Sequence, residues 1–330
     1  MSTHSCLRIG ILGAAQIAPL ALIKPAQRMP DVQITAIAAR DPVRARAFAA
    51  KYQIPQIHET YAALIADPAI DAIYNPLPNS LHCEWTVRAL RAGKHVLCEK
   101  PLAANATEAA SMVKVANETK RVLVEAFHYR YHPLAMRMKE IVEQGELGKV
   151  RHLEAHFCTP LLRRHDIRYR YDLAGGATMD LGCYTINQLR YLAGAEPEVT
   201  RAQAKTFSPQ VDRWMAADFR FADGRTARMT VSFFSTSLLR IQTIVKGDQG
   251  ELCVLNPVLP HFFNCLTVRN AQGKRRERIK GESSYTYQLR AFIKAVRGAA
   301  PIPTPAIDAI ANMQIIDAVY EKAGLRQRGA

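Results

Sequence analysis

Tryptophan is scarce in this chain, two in 330 residues, and acidic residues are outnumbered, 29 against 44 lysines and arginines. The seven cysteines (Cys6, Cys83, Cys98, Cys158, Cys183, Cys253, Cys265) form no CxxC pair and do not cluster with histidine at zinc spacing, so no metal site is read. An odd, dispersed set points to reduced thiols in the cytoplasm, where free cysteine behaves as a small core residue. No apolar run approaches the length of a membrane span. The opening MSTHSCLRIGILGAA lacks a basic segment ahead of a long apolar stretch, so no secretory signal is expected. Low-complexity linkers and internal repeats are absent too.

The excess of basic residues amounts to a net charge of +15. A nucleic-acid binder would gather such charge into a patch and interleave aromatics. Here it is spread along the chain, and the densest run, GKRRERIKG (Gly273 to Gly281), reads as a hairpin flank. No nucleic-acid partner is expected; a basic surface does attract phosphorylated ligands. With 48% hydrophobic and 22% charged residues, the composition is that of a globular protein with room for two cores.

The first third alternates strand and helix signals. LRIGILG ends in glycine and leads into AAQIAPLALIKPAQRM, helix-like, with Pro19 suited to a first turn and Pro25 expected to end or kink it. VQITAIAAR is a second strand, and DPVRARAFAAKY a helix with Asp41 as N-cap and Pro42 at its first position. IDAIYNPLP, HVLCEK and VLVEAFHYR are further apolar runs, separated by the helices SLHCEWTVRALRAG and NATEAASMVKVANET, the latter opened by an Asn105–Glu108 capping box. Such spacing means βαβ units and a doubly wound parallel sheet, α/β. From Lys149 onward, alternating strands with hairpin punctuation (Asp223-Gly224 above all) surround ATMDLGCYTINQLRYLAG and precede AIDAIANMQIIDAVYEKA, which predicts an α+β part with an open antiparallel sheet and helices on one face. The boundary falls at residues 125–130, giving domains 1–128 and 129–330, with the helix at 306–323 packing back toward the first.

Between the first strand and first helix, Gly13, Ala15 and Ala18 stand as G-x-A-x-x-A. This departs from the dinucleotide fingerprint at the second glycine, where backbone approaches a pyrophosphate. The second strand ends Ala38-Ala39-Arg40-Asp41; an acidic residue there would bond a ribose, whereas Arg40 can pair with a 2′-phosphate, so NADP(H) is favoured over NAD(H).

Three further motifs follow in order: NPLPNSLH (Asn75 to His82), CEKP (Cys98 to Pro101) and GGATMDLGCY (Gly175 to Tyr184). Together with the glycine turn, they make the chain resemble, over nearly its whole length, the glucose–fructose oxidoreductase / inositol dehydrogenase (Gfo/Idh/MocA) family. Within it, the dimeric dihydrodiol dehydrogenases and NADP-dependent aldose (xylose-type) dehydrogenases are the most similar subgroup. The resemblance implies an N-terminal Rossmann domain that binds NADP and a C-terminal sheet that forms a homodimer (or dimer of dimers), with a carbohydrate-like substrate lying between nicotinamide and sheet. It assigns cofactor contact to Gly13, Ala15, Gln16, Ile17, Arg40, Asn75, Pro76, Leu77, Asn79, His82, Glu99 and Lys100. Lys100 reaches the reacting oxygen, opposite Asp180 and Tyr184. Tyr184 stands where many relatives carry histidine and Asn187 where those often have a carboxylate, departures that disfavour an inositol-type relay. A cis Lys100–Pro101 bond is also implied.

Removing hydride from an alcohol carbon requires a base for the hydroxyl proton. Bringing a phenol from a pKa of about 10 to about 7.5 takes about 3.4 kcal/mol. One ammonium at about 4 Å supplies about 4 kcal/mol at an effective dielectric near 20. Lys100 alone could therefore tune Tyr184. Either group could be the final proton acceptor, and the assignment adopted is Tyr184 as acid/base with Lys100 as its electrostatic partner. Asp180, four residues before Tyr184 on one helical face, would oppose that shift by contact, so it is given to orienting substrate or holding Lys100. Glu99 either bonds near the cofactor ribose or holds the turn. Further substrate-binding candidates are Asp166, Arg168 and Tyr169 in RRHDIRYRYDLAGG and His128 and Arg130 in EAFHYRYHP. The expected activity is NADP-dependent dehydrogenation of a sugar, polyol or dihydrodiol. Alternatives are reduction of a keto sugar and a non-catalytic NADP-sensing regulator on the same scaffold.

Overall fold

The structure is a computed structural model and describes residues 6–234 and 239–329. The first five residues of the opening segment, and Ser235 at the end of the run expected to follow Asp223-Gly224, lie outside the described residues. The chain divides into two compact units. One runs through His128 and includes Tyr285–Ala309; the other is Tyr129–Ser284 with Ile310 onward.

In the first unit six strands, β1 (Leu7–Leu12), β2 (Val32–Ala38), β3 (Gln56–His58), β4 (Ala72–Asn75), β5 (His95–Cys98) and β6 (Leu123–Glu125), form a sheet of order β3-β2-β1-β4-β5-β6. Every pairing is parallel. Burial on both faces is why β1, β4, β5 and β6 read as apolar runs. Helices α1 (Lys24–Ala26), α2 (Pro42–Tyr52), α3 (Tyr61–Ala66), α4 (His82–Arg91) and α5 (Ala106–Thr119) connect them. Asp41 caps α2, accepting from the Val43 and Arg44 amides at 2.9 and 3.2 Å. Asn105 caps α5 through the Glu108 amide, while the Glu108 carboxylate reaches the Ala104 amide at 3.0 Å. The first helix departs from expectation: Pro19–Ile23 is π-helical and only the single turn α1 follows. Pro25 has no N–H to offer the preceding turn, and the widened turn absorbs the gap.

In the second unit, β7 (Val150–Cys158), β8 (Pro197–Ser208), β9 (Val211–Phe221), β10 (Thr226–Ser232), β11 (Arg240–Gly247), β12 (Gly250–Leu255), β13 (Cys265–Asn270) and β14 (Gly273–Glu277) form one sheet, β14-β13-β12-β11-β7-β10-β9-β8. The expected antiparallel pattern holds everywhere but at its centre, where β10 pairs with β7 in parallel. Two hairpin series, β8-β9-β10 and β11 to β14, meet on opposite sides of β7, and that long-range pairing leaves no mark in local periodicity. Helices α6 (Pro133–Glu143) and α7 (Cys183–Ala193) belong to this unit, α7 packing on β7 and β10. Gly224 adopts φ +86° in the β9–β10 turn, with Asp223 accepting from the Arg225 amide.

Two helices close the chain, α8 (Ser284–Val296) and α9 (Ala306–Lys322). The segment grouping with the first unit is Tyr285–Ala309, chiefly α8, whereas Ile310 onward, most of α9, groups with the second unit. Tyr285, Leu289, Phe292 and Ile293 of α8 complete the first unit's core. Among the described residues no helix is long and apolar enough to cross a membrane, and no cluster of three or more His, Cys, Asp or Glu side chains could hold a metal ion.

Candidate active site

In an open parallel sheet, ligands bind outside the carboxyl ends of the strands. The first unit collects Gly13, Arg40, the Asn75–Asn79 turn, Glu99 and Lys100 at that edge. The Gly13 amide donates to the Ala38 carbonyl at 2.7 Å, and its φ of +83° suits glycine. A Cβ there would lie 3.0 Å from the Leu77 side chain. Ala15 and Ile17 are half-buried and Gln16 is exposed. Arg40 is exposed, and four residues on, in the first turn of α2, Arg44, which no motif marks, donates from Nη2 to the Ala14 carbonyl at 3.2 Å. Burial raises the Tyr61 hydroxyl pKa, opposed by a bond to the Arg40 main chain and by the charges of Arg40 and Arg44. The Arg44 guanidinium is thereby held at the glycine turn, and Arg40 follows the strand whose last carbonyl, that of Ala38, accepts from Gly13. The Arg40–Arg44 spacing on either side of the α2 cap was the available signal.

Asn75 and His82 turn inward. Asn75 is fully buried, its Nδ2 donating to the Thr86 hydroxyl and the His82 carbonyl and its Oδ1 accepting from the Leu77 amide. The His82 ring, equally buried, sets Nε2 on the Leu77 carbonyl at 2.7 Å and Nδ1 on the Pro101 carbonyl at 2.9 Å. It thereby ties the turn after β4 to the turn after β5. Burial pushes its pKa down to about 4, against the pull of the carbonyls. Both side chains shape the ligand-facing turns from beneath. Pro76 and Leu77 are buried, and Asn79 is half-buried in the short 3-10 turn Asn79–Leu81.

Lys100 is half-buried and precedes Pro101 through a cis bond. Its neighbour Glu99 accepts from the Tyr74 hydroxyl at 2.6 Å, and burial, followed by that carboxylate, holds the phenol well above its usual pKa. The Leu102 amide donates to buried Glu125 at 2.8 Å, fixing the far side of the turn. His128 is buried with its ring 4.0 Å from that of Tyr285.

In the second unit, Asp180 lies in the π-helical stretch Thr178–Gly182, and Tyr184 follows in the first turn of α7. Tyr184 is 6% exposed, its ring flanked by Phe157 and Tyr129 at 5.9 and 6.0 Å. Asp180 pairs with Arg168 Nε at 2.9 Å, and Arg168 Nη1 reaches Asp166 at 3.1 Å. Asp180 is the first cause raising the Arg168 pKa. Of the loop candidates, Asp166 and Arg168 are thus joined to Asp180, whereas Tyr169 is buried, donates to the Leu161 carbonyl at 2.8 Å and stacks on Phe207. Arg130 lies over the Tyr191 ring at 3.7 Å, and Asn187 accepts from the Tyr129 hydroxyl at 2.6 Å.

A parallel sheet of this order, with a bare first turn and cations beside it, is the scaffold of dinucleotide-dependent oxidoreductases. The chain belongs to the Gfo/Idh/MocA oxidoreductase family. The family described as "Oxidoreductase family, NAD-binding Rossmann fold" matches residues 7–127, and the GFO/IDH/MocA C-terminal domain matches residues 135–253. A D-xylose 1-dehydrogenase (NADP(+)) of Haloferax volcanii is 37% identical over 326 residues, 96% of this chain and 97% of that one. A trans-1,2-dihydrobenzene-1,2-diol dehydrogenase of Xenopus laevis is 31% identical over 67% of this chain and 66% of its own. Among solved structures, the 3-ketoreductase KijD10 of Actinomadura kijaniata, in complex with NADP and TDP-benzene, superposes with a TM-score of 0.90 at 29% identity, covering 98% of both chains.

Proposed function

We propose that the protein is an NADP-dependent oxidoreductase that moves hydride between nicotinamide and a CH–OH carbon of a sugar-like substrate, with aldose 1-dehydrogenase as the leading form. The observation that carries this reading is Arg44 held on the Ala14 carbonyl beside the Gly13 turn, with Arg40 exposed at the end of the second strand, in a chain matching an NADP-dependent xylose dehydrogenase over 96% of its length. The side-chain-free turn admits a pyrophosphate, and the two guanidiniums suit a 2′-phosphate. When bound, the nicotinamide supplies the hydride acceptor in oxidation and the donor in reduction.

The chain's own residues handle the proton. As hydride leaves the CH–OH carbon with both electrons of its C–H bond, the hydroxyl proton passes to Tyr184 Oη, and the carbonyl forms. The Lys100 ammonium stabilises the phenolate that takes the proton and polarises the reacting oxygen. Glu99, held by Tyr74, sets the turn from which Lys100 projects, and Asp180, held by Arg168, orients substrate hydroxyls. His128, Asp166 and Arg168 remain substrate-side candidates on this reading. The protein acts as a homodimer through its second sheet, which sedimentation at several concentrations tests.

The deciding experiment follows reduced-nicotinamide absorbance while aldoses, polyols and dihydrodiols are offered with NADP and with NAD. Turnover of an aldose with NADP is expected, and inertness of the whole panel with both cofactors overturns the reading. A keto-sugar reductase is the second reading, favoured by likeness to KijD10, and activity confined to keto sugars with NADPH would select it.

A further inference from the structure

Arg328, beyond α9, has no exposed surface at all. Burying a guanidinium is costly unless its N–H groups and its charge are met, so its surroundings state what it does. Nε donates to the Gly175 carbonyl at 2.8 Å, Nη1 to the Arg326 carbonyl at 2.8 Å, and Nη2 to Asp212 Oδ1 at 3.2 Å. The guanidinium lies over the Tyr320 ring at 4.0 Å. The segment is held elsewhere too: the Arg326 amide donates to Gln210 and the Tyr171 hydroxyl to the Gln327 carbonyl.

Asp212, at the start of β9, is equally buried. Its Oδ2 accepts from both the amide and the hydroxyl of Thr178 at 2.7 Å, and its Oδ1 also accepts from the Tyr320 hydroxyl at 2.9 Å. Thr178 is the first residue of the helical stretch that runs into Asp180 and Tyr184, and its amide is one of the donors a helix start cannot satisfy internally. Gly176 makes the approach possible: at φ +137° its Cβ would stand 2.2 Å from Asp212 Oδ1.

We infer that Arg328 is a positioning residue, fixing through Asp212 and Gly175 the start of the helix that carries Asp180 and Tyr184. The inference rests on the reading of Tyr184 as the acid/base. The Gly175 carbonyl bond and the Asp212 pair hold the GGAT segment at both ends of its turn, and the Arg326 carbonyl bond fixes the tail from which the guanidinium projects. Without the guanidinium, Asp212 becomes a buried carboxylate without its counter-charge, its grip on Thr178 loosens, and the helix start shifts two residues before Asp180.

The test uses Arg328→Ala and Arg328→Lys in the full chain, with kinetics and amide hydrogen exchange measured on each. Arg328→Ala is expected to lower kcat by about tenfold to a hundredfold, as small misplacements of reacting groups do, with the cofactor KM little changed. Exchange should quicken at Thr178 to Tyr184 but not in the parallel sheet. Millimolar guanidinium ion should restore part of the turnover, while equal sodium chloride should not. Arg328→Lys, which keeps the charge and loses the planar fork, should fall between. Unchanged kcat and unchanged exchange in Arg328→Ala overturn the inference, as does a loss that guanidinium does not relieve. Should Arg328→Ala fail to fold, wild-type kcat in Arg328→Lys overturns it. A wild-type protein inert toward every substrate would defeat the proposed function instead, and the exchange measurement would still decide the role of Arg328.

Discussion

The Nη2 atom of Arg44 donates to the Ala14 carbonyl across 3.2 Å, tying the first turn of α2 to the turn after β1. That contact keeps the Arg44 guanidinium at the glycine turn, while Arg40 stands exposed at the end of β2. Each would make a charge-assisted bond to a 2′-phosphate, worth about 1.5–3 kcal/mol, or about tenfold and more in affinity. Arg40→Ala and Arg44→Ala are each expected to weaken NADP binding by at least about tenfold while NAD affinity stays within about twofold. Fluorescence titration of both cofactors measures this. Equal losses for NADP and NAD would remove the phosphate assignment.

Lys100 and Tyr184 are expected to fail in different ways. Lys100→Met should retain NADP affinity and lower kcat by about a hundredfold or more, the scale of a lost acid/base partner. Tyr184→Phe should show a comparable loss and, in the oxidation direction, lose the ionisation on the acid side of its pH–rate profile where the base must be deprotonated, whereas Lys100→Met should move that ionisation upward. A Tyr184→Phe enzyme with the wild-type profile would transfer the proton to Lys100.

The first unit is largely legible because its central strands are buried on both faces and its caps are local: Asp41 and Asn105 act within three residues of themselves. The strand β3 and helix α3 escaped notice because Gln56 and Ile57 are exposed and the elements are short, leaving no periodicity to read. The parallel β7–β10 pair was hidden for the opposite reason, since it joins segments far apart in sequence. Motif spacing marks Lys100, Asp180 and Tyr184 as candidates, but no spacing shows that Asn75 and His82 spend their polar atoms on the turns around them, or that Tyr169 is committed to Leu161.

Gly13→Ala should reveal how tightly the cofactor turn is drawn. An L-residue at φ +83° costs about 1–2 kcal/mol, and the new methyl would sit 3.0 Å from Leu77 Cδ2. Denaturant unfolding is expected to show a loss of about that size, together with weaker NADP binding. Leu77→Ala combined with Gly13→Ala should recover the contact part of the loss and leave the backbone part. Strict additivity of the two changes would mean that the Leu77 contact carries no strain.

His82 should give acid instability a visible slope. The ring is neutral in the folded protein down to about pH 4, while in the unfolded chain it protonates near 6.5. Between those values the unfolded state binds more protons, so stability rises with pH through this window and falls on acidification. The limiting contribution is about 3 kcal/mol for one fully buried imidazole. His95 and His132 are also pushed down to about 4, burial first, and add to the wild-type slope. The comparison with His82→Gln isolates the one ring. Glutamine keeps a donor for one carbonyl but has no proton to gain, so the variant should lose stability at pH 7 yet lose less of it between pH 6.5 and 4 than the wild type does. Urea unfolding at several pH values gives both slopes, and parallel curves would mean that His82 does not change protonation on unfolding.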